Sequence, residues 1–131
     1  MNIAIDVREA CGPEKTGKGQ WVYGFVEELL SREINLTLCT NTGLPEAWKE
    51  AASVAQLPCG LRFHYEATRL QTDLYLSPTS YIAPALSRGK SPMAVVVHDL
   101  IAFRSDPHDK KATFIEKTTL GRALKKSAYV Y

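Results

Sequence analysis

Two short runs of almost unbroken apolar residues, Ile3-Ala4-Ile5-Asp6-Val7 and Met93-Ala94-Val95-Val96-Val97, constrain the fold more than any other feature of the chain. Both are rich in β-branched side chains and both run straight into charge, at Arg8 and at His98-Asp99. Runs of this kind suit strands of a parallel sheet that is buried on both faces. Between them the period changes. Trp21, Val22, Phe25, Val26, Leu29 and Leu30 recur at helical spacing, which predicts a helix from about Gly17 or Gly19 to Ser31. Ile34-Asn35-Leu36-Thr37-Leu38-Cys39 alternates and closes in Thr40-Asn41-Thr42-Gly43, a second strand and its turn.

Pro45 opens a short helix that is expected to reach about Val54. Residues 61–65 read as a third strand, and Asp73-Leu74-Tyr75-Leu76 as a fourth, halted by Ser77-Pro78. A last helix is expected over residues 110–127, with Phe114, Ile115, Thr118, Leu124 and Ala128 available for its inner side and Lys125 and Lys126 complementing its dipole. Ala128-Tyr129-Val130-Tyr131 then reads as the opening of another strand. Strands alternating with helices predict an α/β, doubly wound, mostly parallel Rossmann-like sheet with helices on both faces. The expected strand order is 3-2-1-4-5-6, with the switch point between the first and fourth strands. A domain rarely stops on a half-made strand, so residues 1–131 are expected to form a single Rossmann-like domain that is one half of a two-domain protein.

Hydrophobic residues make up 45% of the 131 and charged residues 23%, an ordinary soluble composition. A net charge of +2 is too small to argue for nucleic acid, and none is expected as a partner. Cys11, Cys39 and Cys59 form no Cys-x-x-Cys pair and are odd in number, which points to reduced thiols and a cytoplasmic setting, with Cys39 packed in its strand. No apolar run reaches the roughly 18 residues of a membrane span.

Three segments are expected to meet beyond the carboxyl ends of the strands, where such sheets bind ligands. These are the loop after Val7, the turn Ser77-Pro78-Thr79, and His98-Asp99. Gly17-Lys18-Gly19 could cradle a phosphate at a helix start, aided by the helix dipole. The alternative is a plain glycine-bearing helix start: Val22 stands where a dinucleotide fingerprint needs glycine, and no P-loop spacing follows. His98 could hydrogen-bond a substrate hydroxyl or phosphate, with Asp99 orienting the ring, or could simply be satisfied within its loop. Asp6, inside a strand, requires a partner such as Arg8 or a loop N–H. His64 and His108 have no metal-ligand spacing, and no Gly-x-Ser-x-Gly elbow occurs. The basic last helix (Lys110, Lys111, Lys117, Arg122, Lys125, Lys126) could touch anionic lipid heads at the inner face of a membrane, although a solvated face is the simpler reading.

In order, several segments resemble the N-terminal, acceptor-side domain of a GT-B-fold glycosyltransferase of the retaining family 4. They are Ile3-Ala4-Ile5-Asp6-Val7-Arg8, Gly17-Lys18-Gly19-Gln20-Trp21-Val22, Glu27-Glu28-Leu29-Leu30, Asp73-Leu74-Tyr75-Leu76-Ser77-Pro78, Val95-Val96-Val97-His98-Asp99-Leu100-Ile101, and residues 123–130. The resemblance spans the whole chain. It implies transfer of a sugar from a nucleotide-sugar donor to a sugar acceptor, with the anomeric configuration kept and neither metal nor other cofactor required. Gly17, Lys18 and Gly19 would face the donor diphosphate, His98 and Asp99 would be the catalytic pair, and Ser77, Thr79 and Tyr81 would shape the acceptor side. The family's second domain, with its paired glutamates and the basic pair that grips the donor phosphates, is absent from these residues. The chain alone is therefore expected to be inactive. A stand-alone Rossmann-like module that binds a nucleotide or another protein is the alternative, and an unpaired sheet edge could drive homodimers.

Overall fold

The computed structural model describes residues 1–88, 91–98 and 110–131. The elements are β1 (Asn2–Asp6), a single 3-10 turn (Arg8–Ala10), α1 (Gly17–Ser31), β2 (Asn35–Thr40), α2 (Glu46–Ala51), β3 (Ser53–Gln56), α3 (Leu61–Ala67), β4 (Leu74–Ser77), α4 (Ile82–Leu86), β5 (Met93–Val95), α5 (Lys110–Lys126) and β6 (Tyr129–Val130). The strands form one sheet in the order β3-β2-β1-β4-β5-β6, and every pairing is parallel. The doubly wound α/β architecture and its switch point between β1 and β4 are those expected.

The side-chain alternation of β1 builds two cores. Ile3 and Ile5 face one side, with Leu36, Leu38, Leu76 and Ala94 of neighbouring strands, where Val22 and Val26 of α1 and Trp48 of α2 cover them. Ala4 faces the other side, with Cys39, Tyr75 and Met93, beneath Phe63 and Ala67 of α3 and Ala83 of α4. Leu120 and Ala123 of α5 extend that second layer over Val95, Tyr81 and Ala85. Such strands must be apolar on both faces, which is why β1 and β5 carry continuous runs.

Four expectations about elements are corrected. Residues 61–65 are not the third strand: they lie in α3, whose buried residues Phe63, His64 and Ala67 follow helical spacing. The third strand is Ser53–Gln56, an edge strand with little burial, so the helix from Pro45 stops at Ala51 instead of reaching Val54. Helix α4 was not foreseen. The inner side of α5 is Leu120 and Ala123, whereas Phe114, Thr118, Leu124 and Ala128 are exposed and Ile115 is half-buried. The last strand does pair: Ala128 N–H donates to Met93 O at 2.8 Å, Tyr131 N–H to Val95 O at 2.9 Å, and Val97 N–H to Tyr131 O at 2.7 Å. No described helix is long and apolar enough to cross a membrane.

Beside α1 the described residues leave the sheet face incompletely covered. Ile3, Leu74, Leu76, Ala94 and Val96 look across at Trp21, Phe25 and Leu29, and between them runs an apolar groove of about 420 Å³.

Candidate functional site

The carboxyl end of β1 carries a charge inside the fold. Asp6 is 3% exposed and is held by its neighbour two residues on. Arg8 donates to it from Nη2 (2.7 Å to Oδ2), from Nε (3.0 Å to Oδ1) and from its backbone N–H (3.1 Å to Oδ1). The guanidinium also lies 3.6 Å over the Phe63 ring. Burial opposes the charge on Arg8, but the hydrogen bonds and charge of Asp6 outweigh it, and its pKa is raised. The partner that Asp6 required is therefore the one expected.

His64 of α3 brings its Nε2 to 3.5 Å from Arg8 Nη2. Burial, and then the Arg8 charge, lower its pKa to about 4 against a small opposing pull from Asp6, so the ring is neutral near pH 7. An arginine has only donors, so Nε2 is the acceptor and the proton of the neutral ring sits on Nδ1. That Nδ1 is buried and lacks a hydrogen-bond partner among the described residues. Asp6, Arg8 and His64 join Glu9, Gly12, Glu14, Thr79 and Ser80 around a polar cleft of about 340 Å³. Cys39 lies under the same end of the sheet, but burial and the Asp6 carboxylate push its thiol up to about 12, which makes it a packing residue.

Next to the cleft stands His98. Its Nε2 is 2.7 Å from Pro78 O. A carbonyl can only accept, so Nε2 carries the hydrogen and, in the neutral ring, Nδ1 presents a lone pair. The ring also meets Trp21 of α1 edge-on, with centroids 5.0 Å apart. One bond and one ring contact thus draw together the segment after β5, the turn after β4 and the first turns of α1; the sequence expectation names the loop after Val7 in place of α1. Asp99 lies outside the described residues.

The other sequence-predicted residues are placed unevenly. Thr16 caps α1 and accepts the Gly19 N–H on Oγ1 at 3.1 Å. The Gly17 and Lys18 N–H groups, first in the helix, have no intrahelical acceptor. Gly19 is buried, and a Cβ there would collide with the Glu9 carbonyl oxygen, whereas Gly17 faces open space. Gly19 is thus a close-packing glycine and Gly17 an accessible one. Lys18 Nζ is 3.8 Å from Glu116 of α5. Ser77 is buried with its hydroxyl donating to Ser80 O, and Tyr81 packs in the core with Leu120 and Ala123. Of the three acceptor-side residues, only Thr79 lines the cleft. Arg8 and His64 were missed as site residues; the buried carboxylate at Asp6 was the signal that could have led to Arg8.

No protein-family model matches the chain and no curated protein matches it in sequence. Among solved structures, an alpha-glucosyltransferase in complex with UDP and a 13-mer DNA containing an HMU base is similar, with a TM-score of 0.53 and 12% identity over 99% of this chain and 37% of that one. An alpha-glucosyltransferase with UDP and a 13-mer DNA containing a central A:G mismatch gives a TM-score of 0.51 and 13% identity, over 99% and 36%. The chain spans little more than a third of the length of the structures it matches. At such identity the likeness shows the fold: this chain is folded like part of a glycosyltransferase.

Proposed function

We propose that this chain is the acceptor-side half of a retaining glycosyltransferase, which moves a sugar from a nucleotide-sugar donor to a hydroxyl of an acceptor. The observation that carries the reading is the His98–Pro78 bond beside Trp21, which brings β5, the turn after β4 and the start of α1 to one point at the sheet's switch. The Gly17 and Lys18 amides, with the α1 dipole, would stabilise charge growing on the departing diphosphate. The Gly19 amide, already given to Thr16, supports the helix start on which they stand. Lys18 would leave its long contact with Glu116 to meet the same phosphates. His98 Nδ1 would accept a hydrogen bond from the acceptor hydroxyl or the donor sugar, and Asp99 belongs to the same proposal through its place in the sequence. The acceptor would lie toward Thr79.

The UDP in the alpha-glucosyltransferase complexes supports a uridine nucleotide as donor. The DNA in the same complexes weighs against excluding nucleic acid on a net charge of +2, so a DNA duplex belongs among the acceptors assayed. The test joins the chain to a UDP-binding GT-B domain and supplies UDP-glucose with saccharide, lipid and DNA acceptors. Transfer with an α-linked product is expected, and His98→Ala is expected to lower kcat by about 10²-fold or more. Lack of any transfer, together with no UDP-glucose contact at Gly17, Lys18 or His98, would reject the reading.

The pairing of β6 with β5 is equally compatible with a second reading, a module that binds a nucleotide or another protein without catalysis. UDP binding by the chain, with no transfer in the joined protein, would support it.

A further inference from the structure

We propose that the outer side of α3, α4 and α5 is a docking surface for a bilayer with anionic phosphate headgroups, which Arg69 and Arg88 grip. The inference stands apart from the sugar-transfer reading. The net charge of +2 conceals a separation. Residues 1–60 carry five lysines and arginines against eight acids, and residues 61–131 carry eleven against six. The fold turns this difference along the chain into one between faces, for α1 and α2 cover one side of the sheet and α3, α4 and α5 the other.

Topology then concentrates the cations. Helices α3, α4 and α5 lead into the parallel strands β4, β5 and β6, so their C-terminal ends gather at the amino ends of neighbouring strands. Arg69, just past α3, and Arg88, just past α4, line one cleft of about 200 Å³ with Tyr65, Thr68 and Leu86, and no acid stands among its described lining. Lys126 at the end of α5 reaches the same place, its Nζ donating to Ser87 O at 2.6 Å. Across residues 61–69, 82–88 and 117–131, seven lysines and arginines stand against Glu66 alone.

The two arginines are available. Both are exposed, and neither has a carboxylate partner among the described residues. Arg69 leans on the Tyr65 ring at 5.8 Å, a contact with the ring face that leaves its donor fork open, whereas the fork of Arg8 is closed by Asp6. Two open guanidinium groups around one cleft match a phosphate. The apolar neighbours decide which polyanion fits. Leu86 is 37% exposed, Leu124 39% and Tyr65 48%, all on these same helices. Such tips interleaved with cations gain by entering the headgroup boundary of a bilayer, whereas the sugar-phosphate backbone of a nucleic acid offers them little. The surface lies at the opposite end of the strands from His98, so docking leaves the candidate site open.

The test mixes the full chain with vesicles of phosphatidylcholine, alone or with about one third phosphatidylglycerol, and reads the bound fraction by sedimentation. Binding to the anionic vesicles alone is expected, and its loss near 1 M salt, where the Debye length is about 3 Å. The Arg69→Gln, Arg88→Gln double variant should bind about 30-fold more weakly. Arg32→Gln with Lys49→Gln removes the same charge from α1 and α2 and should stay within about two-fold of wild type. Leu124→Ser, with native circular dichroism, should weaken binding by about 3–10-fold at unchanged charge. Absence of vesicle binding, an equal loss in the two double variants, or full binding by Leu124→Ser would each overturn the inference. A chain that ignores the vesicles but binds a DNA duplex through Arg69 and Arg88 would overturn it too, and would assign the face to nucleic acid.

Discussion

Single residues at the start of α1 and the end of β1 govern both stability and chemistry. Gly19→Ala would push a methyl group into the Glu9 carbonyl, so the variant should lose about 1–3 kcal/mol in urea unfolding. Gly17→Ala meets nothing and should stay within about 1 kcal/mol of wild type, on the stabilising side, through reduced freedom of the unfolded chain. Two glycines that look alike in sequence thus part company in three dimensions. His64 gives a pH prediction with a definite sign. Its pKa falls from 6.5 to about 4 on folding, so the unfolded chain binds the proton first and stability present above the ordinary value is lost as pH drops toward the folded one. Between about pH 7.5 and 4.5 the loss from this group should be about 2–3 kcal/mol, and His64→Gln should remove that part of the slope. The pairing of Asp6 was legible because a carboxylate in an apolar strand has few ways to be satisfied. His64 was not legible as a site residue, since its role comes from Arg8, which is remote in sequence.

At the scale of elements, burial decided what could be read. The strands β1 and β5 are covered on both faces and announce themselves; the edge strand β3 is not, and Ser53-Val54-Ala55-Gln56 carries no apolar run. The alternating Leu61, Phe63 and Tyr65 imitate a strand, but Leu61 and Tyr65 are exposed and Phe63 packs with Ala67 one helical turn on. Gly60 before them, with φ of 70°, provides the backbone turn into α3 that a side chain would resist. Gly60→Ala should therefore cost about 1–2 kcal/mol, seen as a lowered midpoint in thermal unfolding, despite open space around the position. The reading of α5 failed for a related reason: its apolar residues outnumber the places available, and among the described ones those that pack on α4 and β5 are buried.

The whole molecule shows an asymmetry that no single element reveals. Among the described residues, the sheet is closed on the α3 side by three helices, while the α1 side keeps the groove between Trp21 and Val96. Trp21 is 40% exposed there, so the folded protein should enhance the emission of a hydrophobic dye and Trp21→Ser should reduce it; no enhancement with native circular dichroism would mean that the groove is inaccessible. The strand order was recoverable from the sequence as an expectation of the doubly wound class, because alternation of strands and helices leaves few other arrangements. That same order has a kinetic consequence. β1 sits between β2 and β4, and Asn2 donates to Asp73, a partner 71 residues away. The central strand therefore acquires its second neighbour only after most of the chain has been drawn in. Folding is a search for distant partners, and refolding should take milliseconds to seconds, with β3 and β6 assembling onto a centre already formed.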